Sequence, residues 1–324
     1  MSISRVGPDQ VDASEARSVA SVVEVVEDVR RVAAEATRAD GRSPLNEATL
    51  LSLQHHGLAD KALWVARDDA GALLGFALVS PENDAVALSL VVAPASRGLG
   101  IGGALAQEAL GAYADVPVTT WSHGNHPAAA RLARSLGLER VRDLWVMRRP
   151  LSPDHPLPPV EPAGGVVVRT FRPGQDEDAF LALNAEAFVD HPEQGAMTRA
   201  DLEQRMAEPW FDPEGFFLAE PADAPPGEAD QFVDSPSLLG FHWTKAHDDT
   251  VGEVYVVGIS PVAQGQGLGR LLTLTGLHHL QQRGLREVIL YVEADNAPAV
   301  AVYTRLGFTH ADEDTDVMYA RGPA

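Results

Sequence analysis

Two residues in the second half of the chain have side chains that could transfer protons during a reaction. Glu253 lies eleven residues before Gln264 on a strand-like stretch, and Tyr303 lies seven residues after Asn296 on a helix-like stretch. A carboxylate can take the proton that an attacking amine must lose, and a phenol can protonate a departing group. The pair therefore predicts acid–base chemistry in this half of the molecule.

The first half carries neither group at the matching positions. Val86 lies eleven residues before Arg97, and the position of Tyr303 falls on Leu132 or Ala133. Taken alone, a strand glutamate is usually a solvated surface residue, and a helix tyrosine usually belongs to the core. Their joint presence in one half and joint absence from the other favour a functional role for both.

Each half also contains a glycine-rich turn that leads from a strand into a helix. The turns read SPVAQGQGLGRLL from residue 260 and APASRGLGIGGAL from residue 93. The first turn of a helix presents free N–H groups and the positive end of its dipole, and glycines let a phosphate approach them closely. The turns predict a phosphate-bearing ligand; for one copy taken alone, a simple helix cap is the alternative.

Two other phosphate-binding motifs do not fit these turns. A P-loop needs a lysine and a hydroxyl residue that are absent here. Gly98, Gly100 and Gly103 form a GxGxxG sequence, but a dinucleotide site also needs an acidic residue about 20 positions later. The stretch PVTTWSHG offers none, so both motifs are excluded.

The two halves are related by an internal duplication. Four segments match in the same order: ALLGFALVS with SLLGFHWTK, VALSLVVAPASRGLGIGGAL with EVYVVGISPVAQGQGLGRLL, NHPAAARLARSLGL with NAPAVAVYTRLGF, and LWVMRR with TDVMYAR. Between the halves, PLSPDHPLPPVEPAGG is rich in proline and has no apolar period, as expected of an extended linker. We therefore predict a first domain over residues 1–150, a linker over 151–165 and a second domain over 166–324.

Each half is predicted to be an α+β domain. The pattern reads helix, strands, glycine turn, helix, strand and helix. In the second half, helices are expected at 176–188, 268–283 and 299–305, and strands at 215–220, 238–245, 252–259 and 287–293. Short apolar strands with intervening helices predict a mixed, α/β-type sheet covered by helices, once per half.

Composition narrows the class of partner. The net charge of −21 argues against nucleic acid, whose backbone needs a basic face, but allows a small anion held by backbone N–H groups. No apolar run could span a membrane, and the first residues do not have the pattern of a signal peptide. The absence of cysteine fits a cytoplasmic protein, and no HExxH or Cys/His spacing supports a metal. We expect a monomer that binds small molecules, with no metal, membrane or nucleic-acid partner.

The glycine turns resemble the acyl-CoA pyrophosphate loop of GNAT N-acetyltransferases. The strand that precedes each turn strengthens this resemblance, as does the segment that follows the second turn, N-x-P-A-x-x-x-Y-x-x-x-GF. The resemblance implies two tandem GNAT acyl-CoA N-acyltransferase domains that use acetyl-CoA. The pantetheine arm is expected along 257–259, and along 90–92 in the first half, with adenine and pantetheine near 296–301. The residues implied in binding acetyl-CoA are Leu90, Val91, Val92, Gly98, Leu99, Gly100, Ile101, Gly102, Gly103, Val257, Gly258, Ile259, Gln264, Gly265, Gln266, Gly267, Leu268, Gly269, Arg270, Asn296, Ala297, Pro298, Ala299, Val300 and Ala301.

Nearly the whole chain resembles the mycothiol synthase family, tandem GNAT enzymes of actinobacteria. The most specific stretches are NAEAFVDHPEQGAM, WFDPEG, LLGFHWTK, GEVYVVGISP and LYVEADNAPAVAVYTRLGF. That family acetylates the cysteinyl amine of cysteinyl-glucosaminyl-inositol, the last step of mycothiol biosynthesis. The resemblance makes Glu253 the base, directly or through water, and Tyr303 the acid for the CoA thiolate. The implied substrate contacts are Glu47, Glu193, Lys245, Glu253 and Tyr291.

Departures from the family pattern are few. Met197 stands where a tryptophan is expected after HPEQG, which bears on the packing of the substrate loop. The loop QGQGLG is less basic than usual, which bears on the strength of CoA binding. Neither departure touches Glu253 or Tyr303.

Two other functions stay open on the sequence alone. A GNAT acetyltransferase for another small amine, such as an aminoglycoside, would share every cofactor feature and differ in its substrate contacts. A non-catalytic acyl-CoA-binding protein is the second alternative, and the first half alone fits it. We expect the first half to hold a cofactor loop without catalysing a reaction.

Overall fold

The computed structural model describes residues 1–6, 15–161, 164–189, 192–222 and 238–323. Its contacts divide the chain into two compact units. The first unit comprises Met1–Leu144 and Ala311–Ala324, and the second comprises Trp145–His310. Among the described residues, no helix is long and apolar enough to cross a membrane.

The first unit is a mixed sheet with helices on both faces. In chain order its elements are β1 (Ser2–Val6), α1 (Glu15–Asp40), α2 (Glu47–His56), β2 (Ala62–Arg67), β3 (Leu73–Glu82), β4 (Ala85–Val92), α3 (Ile101–Ala112), β5 (Val118–Ser122) and α4 (Pro127–Ser135). The strands β1 to β4 pair antiparallel in sequence order, and β4 pairs parallel with β5. One core cluster joins the sheet to α1, including Val32 and Phe76, and another joins it to α3, including Leu105 and Ala109.

The second unit repeats this plan. Its elements are β6 (Glu139–Pro150), which begins in the first unit, β7 (Val166–Thr170), α5 (Glu177–Ala187), α6 (Pro192–Gly195), α7 (Arg199–Met206), β8 (Phe216–Pro221), β9 (Gly240–Ala246), β10 (Val251–Ile259), α8 (Leu268–Gln282), β11 (Glu287–Glu293) and α9 (Ala297–Arg305). Each predicted helix and strand of this half is confirmed, with ends that differ by at most two residues. The strand order is β6-β11-β10-β9-β8-β7.

The two faces of this second sheet have different cores. Beneath α8 the core is aliphatic and includes Val254, Leu274 and Leu277. On the face of α5 and α7 it is aromatic, with the rings of Phe216 and Trp243 stacked 4.6 Å apart. The aromatic face carries most of the polar residues considered below.

The last strand of the chain, β12 (Thr309–Arg321), exchanges place with β6. In a simple repeat, each would complete the sheet of its own half. Instead β12 pairs antiparallel with β5, and β6 is the neighbour of β11. The observed units therefore differ from the predicted domains at two places. Residues 145–150 belong to the second unit, and residues 311–324 belong to the first.

A buried polar cluster fixes β12 in the first unit. Asp316, 3% exposed, accepts hydrogen bonds from Arg42 at 3.1 Å and from the amide of Gly124 at 2.7 Å, and pairs with Nδ1 of His123 at 2.9 Å. Arg42 also bonds Asp314. A carboxylate buried this deeply needs such partners. The partners of Asp316 therefore stabilise β12 beside β5, where β6 would lie if each half formed its own sheet.

The predicted linker over 151–165 packs in part against the second unit. Leu151 is buried, and its amide donates to the carbonyl of Arg286 at 2.7 Å. The buried guanidinium of Arg149 donates to the carbonyl oxygens of Leu306 and His155, among others. Residues 151–158 are thus held in place, although their composition is typical of an extended linker.

A buried histidine makes the second unit sensitive to acid. His242 on β9 is fully buried, and its Nδ1 donates to the carbonyl of Leu272 at 2.7 Å. Within the described part of the chain, Nε2 has no hydrogen-bond partner. Burial lowers the pKa of His242 from 6.5 to about 4, because a charged imidazole would lose its hydration there.

The expected result is a loss of stability as the pH falls from 6.5 towards 4. In that window the unfolded chain binds a proton at His242 that the folded chain does not, which costs on the order of 3 kcal/mol. We expect the thermal midpoint of His242→Leu to fall less steeply between pH 7 and pH 4.5 than that of the unchanged chain. His278→Asn, at a half-exposed histidine, serves as the control. Parallel slopes for His242→Leu and the unchanged chain would contradict this assignment.

Candidate active site

A gap between β10 and β11 offers a strand edge to a ligand. The parallel ladder joins Val251–Val254 to Glu287–Leu290, and both strands continue beyond it. On its other side, β10 stays paired with β9 as far as Ile259. The peptide groups of residues 255–259 therefore have one edge turned towards the gap. A peptide-like arm could pair there, which fits the predicted position of pantetheine at 257–259.

The glycine turn of the second unit has the backbone that its sequence predicted. Gly265 and Gly267 have φ angles of 76° and 82°, in the left-handed region that favours glycine. Gly267 is the N-cap of α8, and a Cβ atom added there would meet nothing within 4 Å. The helix N-terminus is thus open to an anion, as a pyrophosphate site requires.

The turn of the first unit has nearly the same backbone. Gly98 and Gly100 have φ angles of 77° and 81°. Arg97, which takes the place of Gln264, forms two hydrogen bonds of 2.7 Å with Asp40. The charge of this arginine is therefore already paired within the protein.

A cavity of about 700 Å³ adjoins this first turn. The parallel ladder of β4 and β5 ends at Ala87 and Thr119, and the cavity lies where the strands separate. The predicted cofactor residues that line it are Leu90, Val91, Val92, Gly98, Gly100, Ile101 and Gly102. The first unit thus has both a phosphate turn and room for a ligand beside it.

Glu253 is buried on β10 and faces the aromatic side of the second sheet. It is 5% exposed and lies opposite Lys245 on β9 and Ile289 on β11. Directly paired residues on adjacent strands point to the same face, so Lys245 and Glu253 share one side. Tyr291, two residues after Ile289, lies on this face as well.

A β-bulge follows Glu253 in the second unit and has no counterpart at the matching strands of the first unit. The register shifts between Val254 and Val256, which leaves Tyr255 as the extra residue of β10. In the first unit, β3 and β4 pair without a shift from Gly75 to Glu82. The bulge therefore belongs to the unit that carries Glu253.

Lys245 is held by aromatic rings. Its Nζ atom lies 4.4 Å from the ring centroid of Trp210 and 5.1 Å from that of Tyr255. The hydroxyl of Tyr255 in turn accepts a hydrogen bond of 3.0 Å from Arg205. Cation–π contacts of this kind fix an ammonium group in place.

Tyr303 lies in α9 and packs into the aliphatic core. Its ring meets that of Phe308 edge-on at 5.9 Å. Burial raises the pKa of Tyr303 to about 12, so its hydroxyl keeps its proton throughout the neutral range. The side chain of Asn296 caps this helix by accepting a hydrogen bond from the amide of Ala299 at 3.2 Å.

Three further residues were predicted to contact the substrate. Tyr291 is 44% exposed on β11. Glu47 begins α2 in the first unit. The side chain of Glu193 lies outside the described residues, although the backbone of α6 is described. For these three residues, as for Lys245 and Glu253, contact with a substrate stays a prediction.

Sequence reasoning missed four residues around Glu253 and Lys245. They are Arg205, Trp210, His247 and Tyr255. His247 follows β9 in the turn to β10, and its Nε2 lies 2.6 Å from Oε2 of Glu253. His247 lies opposite Val251 across the hairpin, which makes it a diagonal neighbour of Glu253 on the same face. The spacing of His247 and Glu253 was therefore an available signal. Within the described residues, no cluster of His, Asp and Glu suited to a metal occurs.

Comparison with known proteins identifies the family of this chain. Residues 182–308 match the acetyltransferase (GNAT) family, and residues 59–139 match an acetyltransferase (GNAT) domain. A mycothiol acetyltransferase of a Nocardioides species is 52% identical, over 90% of this chain and 96% of its own. The chain belongs to the mycothiol acetyltransferase family.

Further likenesses agree with this membership. A mycothiol acetyltransferase of Catenulispora acidiphila is 50% identical, over 90% of this chain and 93% of its own. In fold, the chain is similar to a tandem GNAT protein from the clavulanic acid biosynthesis pathway, with a TM-score of 0.68. That likeness covers 100% of this chain and 98% of the other at 19% identity, so it bears on the fold alone.

These findings confirm the predicted fold class and enzyme class. This member of the mycothiol acetyltransferase family has two tandem GNAT domains and is an acyltransferase. GNAT acetyltransferases use acetyl-CoA. The two glycine turns, the open strand edges and the cavity of the first unit fit such a ligand.

Matched substitutions in the two turns separate their roles. We expect Gly267→Val to abolish acetyl transfer at saturating acetyl-CoA, because valine tolerates neither a φ of 82° nor a phosphate against its side chain. Gly100→Val makes the same change at a φ of 81° and should leave the rate largely intact. Steady-state rates, with folding checked by circular dichroism, measure the difference. Equal losses in two folded variants would show that both units turn over substrate.

Lys245 is expected to bind the amine substrate rather than acetyl-CoA. Lys245→Met keeps an unbranched chain against Trp210 and Tyr255 but removes the charge. The variant should raise KM for the amine more than KM for acetyl-CoA, because an ammonium donor to substrate oxygens is lost. Titration of each substrate at saturating levels of the other gives both constants. The opposite ranking would assign Lys245 to the cofactor.

Proposed function

We propose that the chain transfers the acetyl group of acetyl-CoA to the cysteinyl amine of cysteinyl-glucosaminyl-inositol. The observation that carries this proposal is the 52% identity, over 90% of the chain, to a protein named mycothiol acetyltransferase. Glu253 and Lys245, paired on one face of the second sheet, support it. A carboxylate and an ammonium suit a substrate that has one amine and many hydroxyl groups.

Glu253 takes the proton that the amine must lose. A free α-amine has a pKa of about 7.7–8.0, so an appreciable part is protonated at neutral pH. The Oε1 atom of Glu253 accepts the proton, directly or through one water, as the nitrogen bonds to the thioester carbonyl carbon. The strand edge of residues 255–259, just beyond Glu253, aligns the thioester with this carboxylate.

Tyr303 supplies the second proton. When the carbon–sulfur bond breaks, the thiolate leaves as the carbonyl re-forms. A phenol whose pKa is raised by burial to about 12 still carries its proton at that moment and can donate it to sulfur. One proton passes from the amine to Glu253 and one from Tyr303 to the thiol. Proton exchange with solvent then returns both side chains to their starting states, so atoms and charges balance.

The first unit has a different role from the second: it binds the cofactor without catalysing the reaction. It binds acetyl-CoA at its own turn and cavity. It has Ala87, opposite Ser80, where the second unit has Glu253 opposite Lys245. It has Leu132 or Ala133 where the second unit has Tyr303. We therefore assign the chemistry to the second unit. The expected monomeric state and cytoplasmic location remain predictions, and sedimentation of the purified chain tests the first.

The proposed substrate is tested by comparing specificity constants. We expect kcat/KM with acetyl-CoA to be at least about 10³-fold higher for cysteinyl-glucosaminyl-inositol than for an aminoglycoside, since unpaired polar groups in a site reject the wrong ligand. Equal or reversed constants would favour a general small-amine acetyltransferase. No transfer to any amine, with acetyl-CoA still bound, would indicate a binding protein.

A further inference from the structure

The carboxylate of Glu253 has a partner that its role as a base does not by itself require. Nε2 of His247 lies 2.6 Å from Oε2 of Glu253, which is only 5% exposed. An ionised carboxylate can only accept hydrogen bonds, so the hydrogen between them lies on Nε2. Among the described residues, His247 is the hydrogen-bond partner of this carboxylate, and it occupies one of the two oxygens.

The turn that carries His247 is held by its own hydrogen bonds. The amide of His247 donates to the carbonyl of Val251 at 2.9 Å. Oδ1 of Asp248 accepts from the amides of Thr250 and Val251 at 2.7 and 2.8 Å, and from the hydroxyl of Thr250 at 2.6 Å. Bonds from Thr250 and Val251 hold the pKa of Asp248 below its ordinary value. The imidazole therefore extends from a closed turn whose conformation is set before substrate arrives.

The pairing occurs in one unit only. In the first unit, the turn between β3 and β4 has Glu82 at the position of His247. Ala87, opposite Ser80, lies at the position of Glu253, opposite Lys245; the bulge moves this match by one residue from Val86. Glu82 there accepts a hydrogen bond of 2.5 Å from Thr119. The histidine and the glutamate are thus present together or absent together, as expected of two groups that act as one.

We infer that His247 is a positioning residue for Glu253, an inference that rests on the proposed function. Its N–H holds Oε2, so that Oε1 is the oxygen turned to the amine or to the bridging water. A hydrogen bond donated to a carboxylate also favours its ionised form over its protonated form. In this role His247 positions the base and is itself neither the acid nor the base of the reaction.

Other charged groups lie on the elements that pack around this pair. They include Lys245 on β9, Asp248 and Asp249 in the turn, Glu287, Tyr291 and Glu293 on β11, Glu186 on α5 and Arg205 on α7. None of them changes in a His247 variant. A difference between the pH profiles of that variant and the unchanged chain therefore reports the His247–Glu253 bond.

The test compares His247→Ala, His247→Gln, Glu253→Gln and the double variant His247→Ala/Glu253→Gln. We expect His247→Ala to lower kcat about 10- to 100-fold, the worth of one hydrogen bond to a charged group. Its acid limb should move to higher pH, with KM for acetyl-CoA unchanged. His247→Gln, which keeps an N–H donor, should recover part of the rate. In the Glu253→Gln background, His247→Ala should have no further effect.

Several results would overturn the inference. One is an unchanged kcat and pH profile in His247→Ala. Another is a loss of kcat from His247→Ala that is equally large in the Glu253→Gln background, which would show that the histidine acts independently of the base. A fall in thermal midpoint with an unshifted pH profile would make its role structural. His278→Ala is the matched control, since Nε2 of His278 bonds the carbonyl of Pro158 at 2.9 Å. If another amine proves to be the substrate, the same four variants assayed on it decide the question.

Discussion

Replacing Glu253 with glutamine is expected to lower kcat about 10²- to 10⁴-fold at neutral pH, the range for a positioned general base. Glutamine keeps the size of the side chain and can still meet His247, but it has no basicity. Raising the pH should recover part of the loss, because more of the amine then arrives without its proton. Acetyl-CoA binding, measured by calorimetry, should barely change.

Glu287→Gln provides the control for Glu253→Gln. Glu287 is a strand glutamate of the same unit, half-exposed and paired with Arg148 at 3.0 Å. The rate should stay within about twofold of the unchanged chain, as for surface ion pairs of little energetic worth. Near-full activity of Glu253→Gln from pH 6 to pH 9 would show that another group, or solvent, accepts the proton.

The second large effect is expected from Tyr303→Phe. The variant keeps the ring against Phe308 but cannot donate a proton to sulfur. We expect kcat to fall about 10²-fold, the low end for acid–base catalysis, because a thiol with a pKa near 8.5 leaves fairly well as the anion. The pKa of about 12 keeps Tyr303 protonated, so the unchanged chain should show no alkaline loss from this group below pH 10.

A thioester with a more acidic thiol gives an internal check on Tyr303. Such a leaving group needs less help from an acid, so the penalty of Tyr303→Phe should shrink with it. Tyr113→Phe, in the first unit, is the control, since its ring packs against Trp64 at 6.3 Å. A penalty that does not depend on the thiol would assign Tyr303 to packing or to substrate binding.

Local patterns in the sequence predicted the elements of each unit well. The turns around Gly100 and Gly267 have the expected left-handed backbone, and the strand that bears Glu253 runs from Val251 to Ile259. These features depend on neighbours in the chain, where periodicity and glycine placement are informative. Proline content alone could not show that Leu151 is buried, because that depends on residues far along the chain.

The exchange of β6 and β12 could not be predicted in this way. Both strands follow the last helix of their repeat, so the sequence allows either to pair within its own half. The choice depends on distant contacts such as those of Arg42 with Asp316, 274 positions apart. The predicted boundary at residue 150 therefore differs from the division of the units at Leu144 and Ala311.

The surroundings of Glu253 also depend on contacts that local sequence patterns do not predict. Its position was predictable from the repeat, whereas its bond to His247 depends on how the β9–β10 hairpin closes. The bulge at Tyr255 changes the register by one residue, and a register change alters which side chains share a face. Trp210 comes close to Lys245 only through tertiary packing.

The most direct test of the central claim is to identify the product formed from ¹³C-acetyl-CoA and cysteinyl-glucosaminyl-inositol. We expect an amide on the cysteinyl nitrogen with the thiol left free, formed by the unchanged chain and about 10²- to 10⁴-fold more slowly by Glu253→Gln. The carbonyl shift in the NMR spectrum distinguishes an amide from a thioester. An S-acetyl product, an acetyl group elsewhere on the molecule, or equal rates for the two proteins would contradict it.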